Sequence, residues 1–217
     1  MKNENISSSF EYTDSSHIEL HYELLPKLDK ILDNIENNLT KTKRIFDLGC
    51  GNGSIGNYFT NKGWDITGVD SSDEGIKQAN LSYSKIKFYK GSTGENLADR
   101  FGKFPILISL EVIEHVYAPR DYMRNIFNLL EPGGIAIIST PYHGYLKNLL
   151  ISLLGKMDDH FTALTDCGHI KFWSIKTLTK LLEEFKFQDI EFYRVGRLHP
   201  SIAKSMIVKF KKPLKWK

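Results

Sequence analysis

The sequence predicts an α/β protein built on a doubly wound, mostly parallel sheet. Three observations carry this. Short apolar runs alternate with segments of helical spacing, in the order strand, loop, helix, from Ile45 to Thr140. Phe104-Pro105-Ile106-Leu107-Ile108-Ser109-Leu110 is a nearly continuous apolar run, as expected of a central parallel strand buried on both faces. Arg44-Ile45-Phe46-Asp47 is a brief strand that runs into Leu48-Gly49-Cys50-Gly51-Asn52-Gly53, a turn with three alternating glycines. A ligand can lie directly on such a backbone because no Cβ intervenes.

The bulk composition sets bounds. A chain of 217 residues predicts one domain and buries a core without staples. A charged fraction of 25% and a net charge of +3 give no basic domain that would argue for nucleic acid. Cys50 and Cys167 form no C-x-x-C pair and read as free thiols of a reducing, cytoplasmic setting. Met1 to Ser9 is polar, without a signal core, and no window approaches the length of a membrane span.

Taken in order, residues 1–40 read as an N-terminal arm and a helix, the latter from the stripe Leu24, Leu25, Leu28, Ile31, Leu32 and Ile35. Residues 41–217 form the main domain. After the glycine turn, Ser54 to Phe59 has helical spacing and Gly63 is its C-cap. Trp64 to Asp70 is the second strand. Asp70 ends it 23 positions after Asp47, where an acid can accept ribose hydroxyls; Ser71 or Ser72 is left to cap the next helix, so Asp70 stays free. The third strand, Ile86 to Gly91, leads into Ser92-Thr93-Gly94.

Phe104–Leu110 flows into Glu111-Val112-Ile113-Glu114-His115-Val116. If this segment coils, its two acids and its imidazole share one face, fit for a general base or a hard metal ion. Pro119 starts a helix that Glu131-Pro132-Gly133-Gly134 stops, and Ile135 to Thr140 is the fifth strand. Residues 142–173 form a helical and loop insert. Its first half is apolar and too short to span a bilayer; His160 and His169 flank a loop expected to cross the ligand edge of the sheet. Ser174 caps a helix from Ile175 to Phe185, and strands follow at Ile190–Val195 and Ser205–Phe210. The tail Lys209 to Lys217 is basic and aromatic, readable as solvated chain or as a segment attracted to anionic lipid.

The glycine spacing is not the G-x-G-x-x-G of dinucleotide sites, and the acid two residues before Gly49 suits a cationic ligand better than a pyrophosphate. Asp-x-Gly-x-Gly-x-Gly, with Asp70, the Glu111–His115 block and Pro132-Gly133-Gly134, resembles the class I S-adenosylmethionine (SAM) methyltransferases over about residues 40–140. Leu-Glu-Val-Ile-Glu-His-Val, the Ser-Thr after the fifth strand, the apolar insert and a His loop followed by Lys-Phe are similar to the ubiquinone-biosynthesis O-methyltransferases (type 11/12). The resemblance implies a seven-stranded Rossmann-like sheet with a C-terminal antiparallel strand pair. It implies cofactor contacts at Asp47, Gly49, Cys50, Gly51, Asn52, Gly53, Asp70, Ser71, Ser92, Thr93, Leu110, Glu111 and His115. The N-terminal arm becomes a lid with Tyr12 and His17 as candidates. Glu111, Glu114 and His115 become ligands of a divalent ion, Mg²⁺ in the first instance, and some members of that family contact membranes through such an insert.

The expected chemistry is methyl transfer to an oxygen of a small molecule, a phenol or catechol, with His115, Glu114, His160 or His169 serving the proton transfer and His115 favoured. Two alternatives stay open: methylation of a sugar or other polar metabolite, and a SAM- or nucleoside-binding protein without catalysis. A dehydrogenase is disfavoured by the glycine spacing, and nucleic-acid modification by the absence of a basic domain and of an Asn-Pro-Pro-Tyr-type motif.

Overall fold

The computed structural model describes residues 15–16, 19–36, 42–166, 168–196 and 199–215. The lid candidates Tyr12 and His17, Cys167, and the end of the tail at Trp216 and Lys217 lie outside the described residues. Seven strands alternate with helices: α1 (Glu19–Glu36), β1 (Arg44–Leu48), α2 (Ser54–Thr60), β2 (Asp65–Asp70), α3 (Asp73–Ser82), β3 (Lys87–Lys90), α4 (Leu97–Phe101), β4 (Phe104–Leu110), α5 (Pro119–Leu129), β5 (Leu130–Pro141), α6 (Tyr145–Leu153), α7 (Met157–Phe161), α8 (Ile175–Glu184), β6 (Gln188–Val195) and β7 (Ser205–Lys211). They form one sheet in the order β3-β2-β1-β4-β5-β7-β6. The first five strands are parallel, and β7 runs antiparallel to both β5 and β6. The doubly wound sheet and its antiparallel C-terminal pair are therefore as the sequence predicts.

Strand alternation divides the core. Ile45, Ile106, Ile108, Ile137 and Ile207 point to the face covered by α1, α2 and α3. Phe46, Leu107, Ala136, Ile138, Met206 and Val208 point to the face covered by α4, α5 and α8. On α1, Leu24, Leu28 and Leu32 recur every four residues and are fully buried, each contributing about 1.5–3 kcal/mol by leaving water. This N-terminal helix is thus a layer of the core. On the other face, Tyr122, Met123, Ile126 and Leu129 of α5 are buried. The α8 helix opens with a capping box in which Ser174 Oγ accepts from Thr177 N.

The strand order reverses between β1 and β4, which opens a crevice at their carboxyl ends. Ligands bind at such a switch point in open α/β sheets.

Two local expectations change. Glu131 to Gly134 does not separate helix from strand, because β5 starts at Leu130. The residue after β7 pairs with this glycine segment: Gly133 N donates to Lys212 O at 3.1 Å and Lys212 N donates to Gly134 O at 2.9 Å. The start of the basic tail is likewise built in. Lys209 to Lys211 belong to β7, and Lys212 is buried. Its Nζ donates to Phe127 O at 2.6 Å and Leu130 O at 2.8 Å, carbonyls left over at the end of α5. Replacing Lys212 by Met keeps the apolar stem and removes both charge-assisted bonds. We expect Lys212→Met to cost about 2–3 kcal/mol of stability, read as a lower midpoint in urea unfolding.

Candidate functional site

A cavity of about 970 Å³ occupies the crevice. It runs from the glycine turn, past the end of β4, to the residues around α6 and α7.

At the first end, the turn after β1 is bound to the end of β2. Gly49 N and Cys50 N both donate to Val69 O, at 2.7 and 3.1 Å, and Gly51 N donates to Asp70 Oδ2 at 2.8 Å. Two of the three glycines are demanded by the protein itself. Gly49 has φ +84°, and a Cβ there would overlap Val112. Gly53 has φ +78°, and a Cβ there would sit 2.7 Å from Phe88 Cζ. Asp47, Gly49, Cys50, Gly51 and Asn52 line the cavity, whereas Gly53 stands behind the turn.

Asp70 also lines the cavity, but it is not free as the sequence reading had it. Its Oδ2 accepts from Gly51 N and its Oδ1 from Ser72 N at 2.8 Å, while Ser72 Oγ caps α3 by accepting from Gly75 N at 3.0 Å. Each carboxylate oxygen keeps a lone pair for a ligand hydroxyl. Asp47 is almost fully buried, and its Oδ2 has no hydrogen-bond partner among the described residues. Burial, and then the Asp70 charge, push its carboxyl up to about 8. Burial and these two acids push the Cys50 thiol up as well.

Ser71, Ser92 and Thr93 line the same end. The turn carrying Ser92 and Thr93 is held from behind by Asn125 of α5, whose Nδ2 donates to Thr93 O at 3.0 Å and Glu95 O at 2.6 Å. Two residues from the N-terminal side touch this turn: Asn52 Nδ2 donates to Ser16 O at 3.0 Å, and His21 Nδ1 lies 3.4 Å from Ser54 Oγ.

Beyond Leu110, Glu111 has φ +55°, a conformation that costs a non-glycine residue energy and that clusters at functional sites. The strain has visible support. Glu111 N donates to Ser139 O at 3.1 Å, and Glu111 Oε1 accepts from Ser139 Oγ at 2.7 Å and Ser205 Oγ at 3.2 Å. Burial raises its carboxyl to about 7. Glu114 lies beneath the cavity wall, fully buried, with Thr140 and Glu111 nearest; neither of its oxygens makes a well-formed hydrogen bond among the described residues. Burial and the Glu111 charge raise its carboxyl further.

This block is stitched to the loop before α8. Ile170 N and Lys171 N both donate to Glu114 O at 2.9 Å, Trp173 Nε1 donates to Ile113 O at 3.3 Å, and His115 Nδ1 donates to Gly168 O at 3.2 Å. His115 and His169 meet edge to face, with centroids 4.9 Å apart. Donor atoms of Glu114, His115 and His169 lie within 4.8 Å of one another. The residues that could hold a divalent ion are therefore these three, while Glu111 is engaged by Ser139 and Ser205. Two imidazole nitrogens and one carboxylate suit a borderline transition ion, not Mg²⁺, which takes oxygen ligands.

The far end is apolar with polar interruptions. Leu150 and Ile151 of α6, Phe161 and Phe172 line it together with His160. Two lining residues escaped the sequence reading. His143 packs against His160 and Phe172 at 5.5 and 5.1 Å between centroids. Lys147 is buried, its Nζ donating to Tyr142 O at 2.9 Å and Lys204 O at 3.4 Å. His143 stands two residues past the end of β5, so the rule that ligands meet strand ends pointed to it. Burial lowers both His143 and His169 to about 4; Lys147 and other imidazoles add to the first, and His115 and His160 to the second. Both rings are neutral at physiological pH.

Asn125 touches the cavity only through the turn it holds. Asn125→Leu removes both bonds while filling similar space. We expect this variant to weaken binding of a nucleoside ligand about tenfold, measured by calorimetry, with the helical circular dichroism unchanged.

With this geometry in view, the likenesses to known proteins are informative. A family model described as a methyltransferase domain matches residues 17–191. A ubiquinone biosynthesis O-methyltransferase of Caulobacter sp. (strain K31) is 34% identical over 116 residues, 52% of this chain and 46% of that protein. The chain spans about half the length of the curated relatives it matches first. The PH0226 protein of Pyrococcus horikoshii OT3 superposes with a TM-score of 0.70 at 19% identity, covering 93% of this chain and 94% of that one. Phosphoethanolamine N-methyltransferase 2 of Haemonchus contortus, solved in complex with S-adenosyl-L-methionine, superposes with a TM-score of 0.59 at 14% identity, covering 85% of this chain and 52% of that one. At such identities the two structures speak for the fold alone. The family match takes in the glycine turn, Asp70, the Glu111–His115 block and the insert, and the chain belongs to the methyltransferase-domain family.

Proposed function

We propose that this chain is a SAM-dependent methyltransferase acting on an oxygen of an apolar small molecule, a phenol or catechol. One observation carries the reading: a single cavity joins an acidic glycine-turn end to an apolar end walled by imidazoles. The name of the Caulobacter relative supports the oxygen acceptor.

The first end fits the cofactor. Asp70 retains lone pairs for the two ribose hydroxyls, Ser92 and Thr93 flank the place of a base, and Asp47 offers a buried oxygen without a donor to a positive ligand. When bound, the cofactor supplies a methyl group on a positively charged sulfur, an activated leaving group. The chain's part is then alignment and removal of one proton. Because Gly168 O cannot donate, His115 carries a proton on Nδ1, and Nε2 is the ring nitrogen turned to proton transfer. His169, neutral and edge-on to it, is the second acceptor. With Glu114, the same two rings would hold a divalent ion, and such an ion lowers the pKa of an acceptor hydroxyl. His160 stands outside that trio and remains a proton acceptor in either case.

Calorimetry with SAM and S-adenosylhomocysteine tests the cofactor. We expect micromolar binding, weakened more than tenfold (about 1.4 kcal/mol) in Asp70→Ala. Folded protein that binds neither ligand refutes the reading. Methyl transfer followed by mass spectrometry tests the acceptor: an alkyl catechol is methylated, and His115→Ala lowers the rate at least a hundredfold. Methylation of sugars alone refutes the oxygen-on-phenol assignment.

The insert suggests where such an acceptor comes from. Leu150 and Ile151 line the cavity while Tyr145 and Leu153 of the same helix are 82% and 73% exposed. Among the described residues no helix is long and apolar enough to cross a membrane, and α6 is proposed to lie on one, delivering an apolar acceptor from the lipid. We expect the protein to float with anionic vesicles and the doubly substituted Tyr145→Ser, Leu153→Ser protein to stay behind.

A further inference from the structure

Asp47 occupies an odd position for an acid. It lies at the end of β1, inside the sheet, with register partners Gly68 on β2 and Ile108 on β4. Of the groups that face it, Asp70 comes from β2 and the Cys50 thiol from the turn; neither supplies positive charge. From β4, Ile108 is apolar, and the neighbouring Ser109 hydroxyl donates to Leu48 O. The imidazole of His21 on α1 lines the same cavity. Asp70 has two backbone N–H donors on its carboxylate, while Asp47 Oδ2 has no partner among the described residues. Of two like-charged neighbours in a dry site, the one with fewer donors holds the shared proton.

We infer that Asp47 couples cofactor binding to a proton: it is neutral in the cofactor-free protein, ionises as the cationic cofactor enters, and regains a proton once the bound sulfur is neutral. This rests on the methyltransferase reading. The balance closes over a turnover. Binding releases one proton from Asp47. Transfer forms the O–C bond and breaks the C–S bond, whose electron pair stays on sulfur; the acceptor hydroxyl loses its proton. Asp47 takes one proton back before the product leaves, so one proton is released in all, as the overall reaction requires.

The consequence is a built-in discrimination. Ionised Asp47 favours the positively charged sulfur of the substrate cofactor over the neutral sulfur of its product, and reprotonation speeds product exchange. It also sets a pH trend. With the Asp47 carboxyl at about 8 in the folded chain and near its ordinary value when unfolded, the cofactor-free protein binds the extra proton in between. Its stability from this group is greatest below about pH 4, declines as pH rises to about 8 and levels off above that.

The experiment is calorimetry at pH 7 in two buffers of different ionisation enthalpy, with SAM and S-adenosylhomocysteine as the probes. We expect release of about nine tenths of a proton per SAM bound, distinctly less per S-adenosylhomocysteine, and SAM affinity rising about tenfold from pH 6 to pH 7. In Asp47→Asn, which keeps the shape of the neutral acid, release and pH dependence disappear. SAM binding with a buffer-independent enthalpy overturns the coupling and leaves the methyltransferase reading standing. Equal proton release by the Asn variant overturns the assignment to Asp47. Folded wild type that binds no SAM overturns both.

Discussion

Everything in the site depends on how the glycine turn is fastened to the end of β2. Three consecutive N–H groups, of Gly49, Cys50 and Gly51, are drawn to Val69 O and to the Asp70 carboxylate. The bonds run between adjacent parallel strands just where both end. They hold the turn open as a cradle instead of letting it fold back over the crevice. The strand order reverses beside β1, so the connections that leave β1 and β4 diverge and the crevice beside the turn stays open. Asp70 accordingly holds the turn while it faces the cavity. Two oxygens with two lone pairs each are enough for both.

The same principle recurs at the end of β4. There the chain must leave the sheet, turn inward and still present side chains to the cavity. Glu111 does so through a left-handed conformation, and Ser139 and Ser205, from β5 and β7, fix it there. The antiparallel strand β7 thus does more than extend the sheet. It brings Ser205 to the site, and through Lys212 it also secures the end of α5. That helix carries Asn125, which holds the turn of Ser92 and Thr93 at the cavity. Strands far apart in the chain thereby converge on one cavity wall.

How much of this was legible depended on the range of the interaction. The β4 run from Phe104 to Leu110, the Ser174 cap and the Asp47–Gly53 turn are local patterns, and the structure contains them as the sequence indicates. Asp70 was legible as a strand-end acid but not as the anchor of Gly51, a partner 19 residues away. Gly133 and Gly134 looked like a stop signal because nothing nearby reveals that Lys212 pairs with them. The trio Glu114, His115 and His169 was half legible. The first two sit on one segment, and the third arrives from a loop held to it by backbone bonds to Glu114 O. Helical spacing suggested that Glu111, Glu114 and His115 share a face. Glu111 instead takes a positive φ, and its carboxyl, still beside Glu114, is bound by Ser139 and Ser205.

The two ends of the cavity use burial in opposite ways. At the glycine-turn end, burial raises the Asp47 carboxyl to about 8. At the far end, burial lowers His143, which packs on Phe161 and Phe172, and His169, which packs on His115, so both rings are neutral. The acceptor hydroxyl proposed above would meet bases there, not cations, apart from lysines such as Lys147, whose ammonium is held by backbone carbonyls. The proposed transfer, which would remove one positive charge from the first end and one proton from the second, calls for this asymmetry. Were both ends wet, neither carboxyl nor imidazole would depart from its ordinary range.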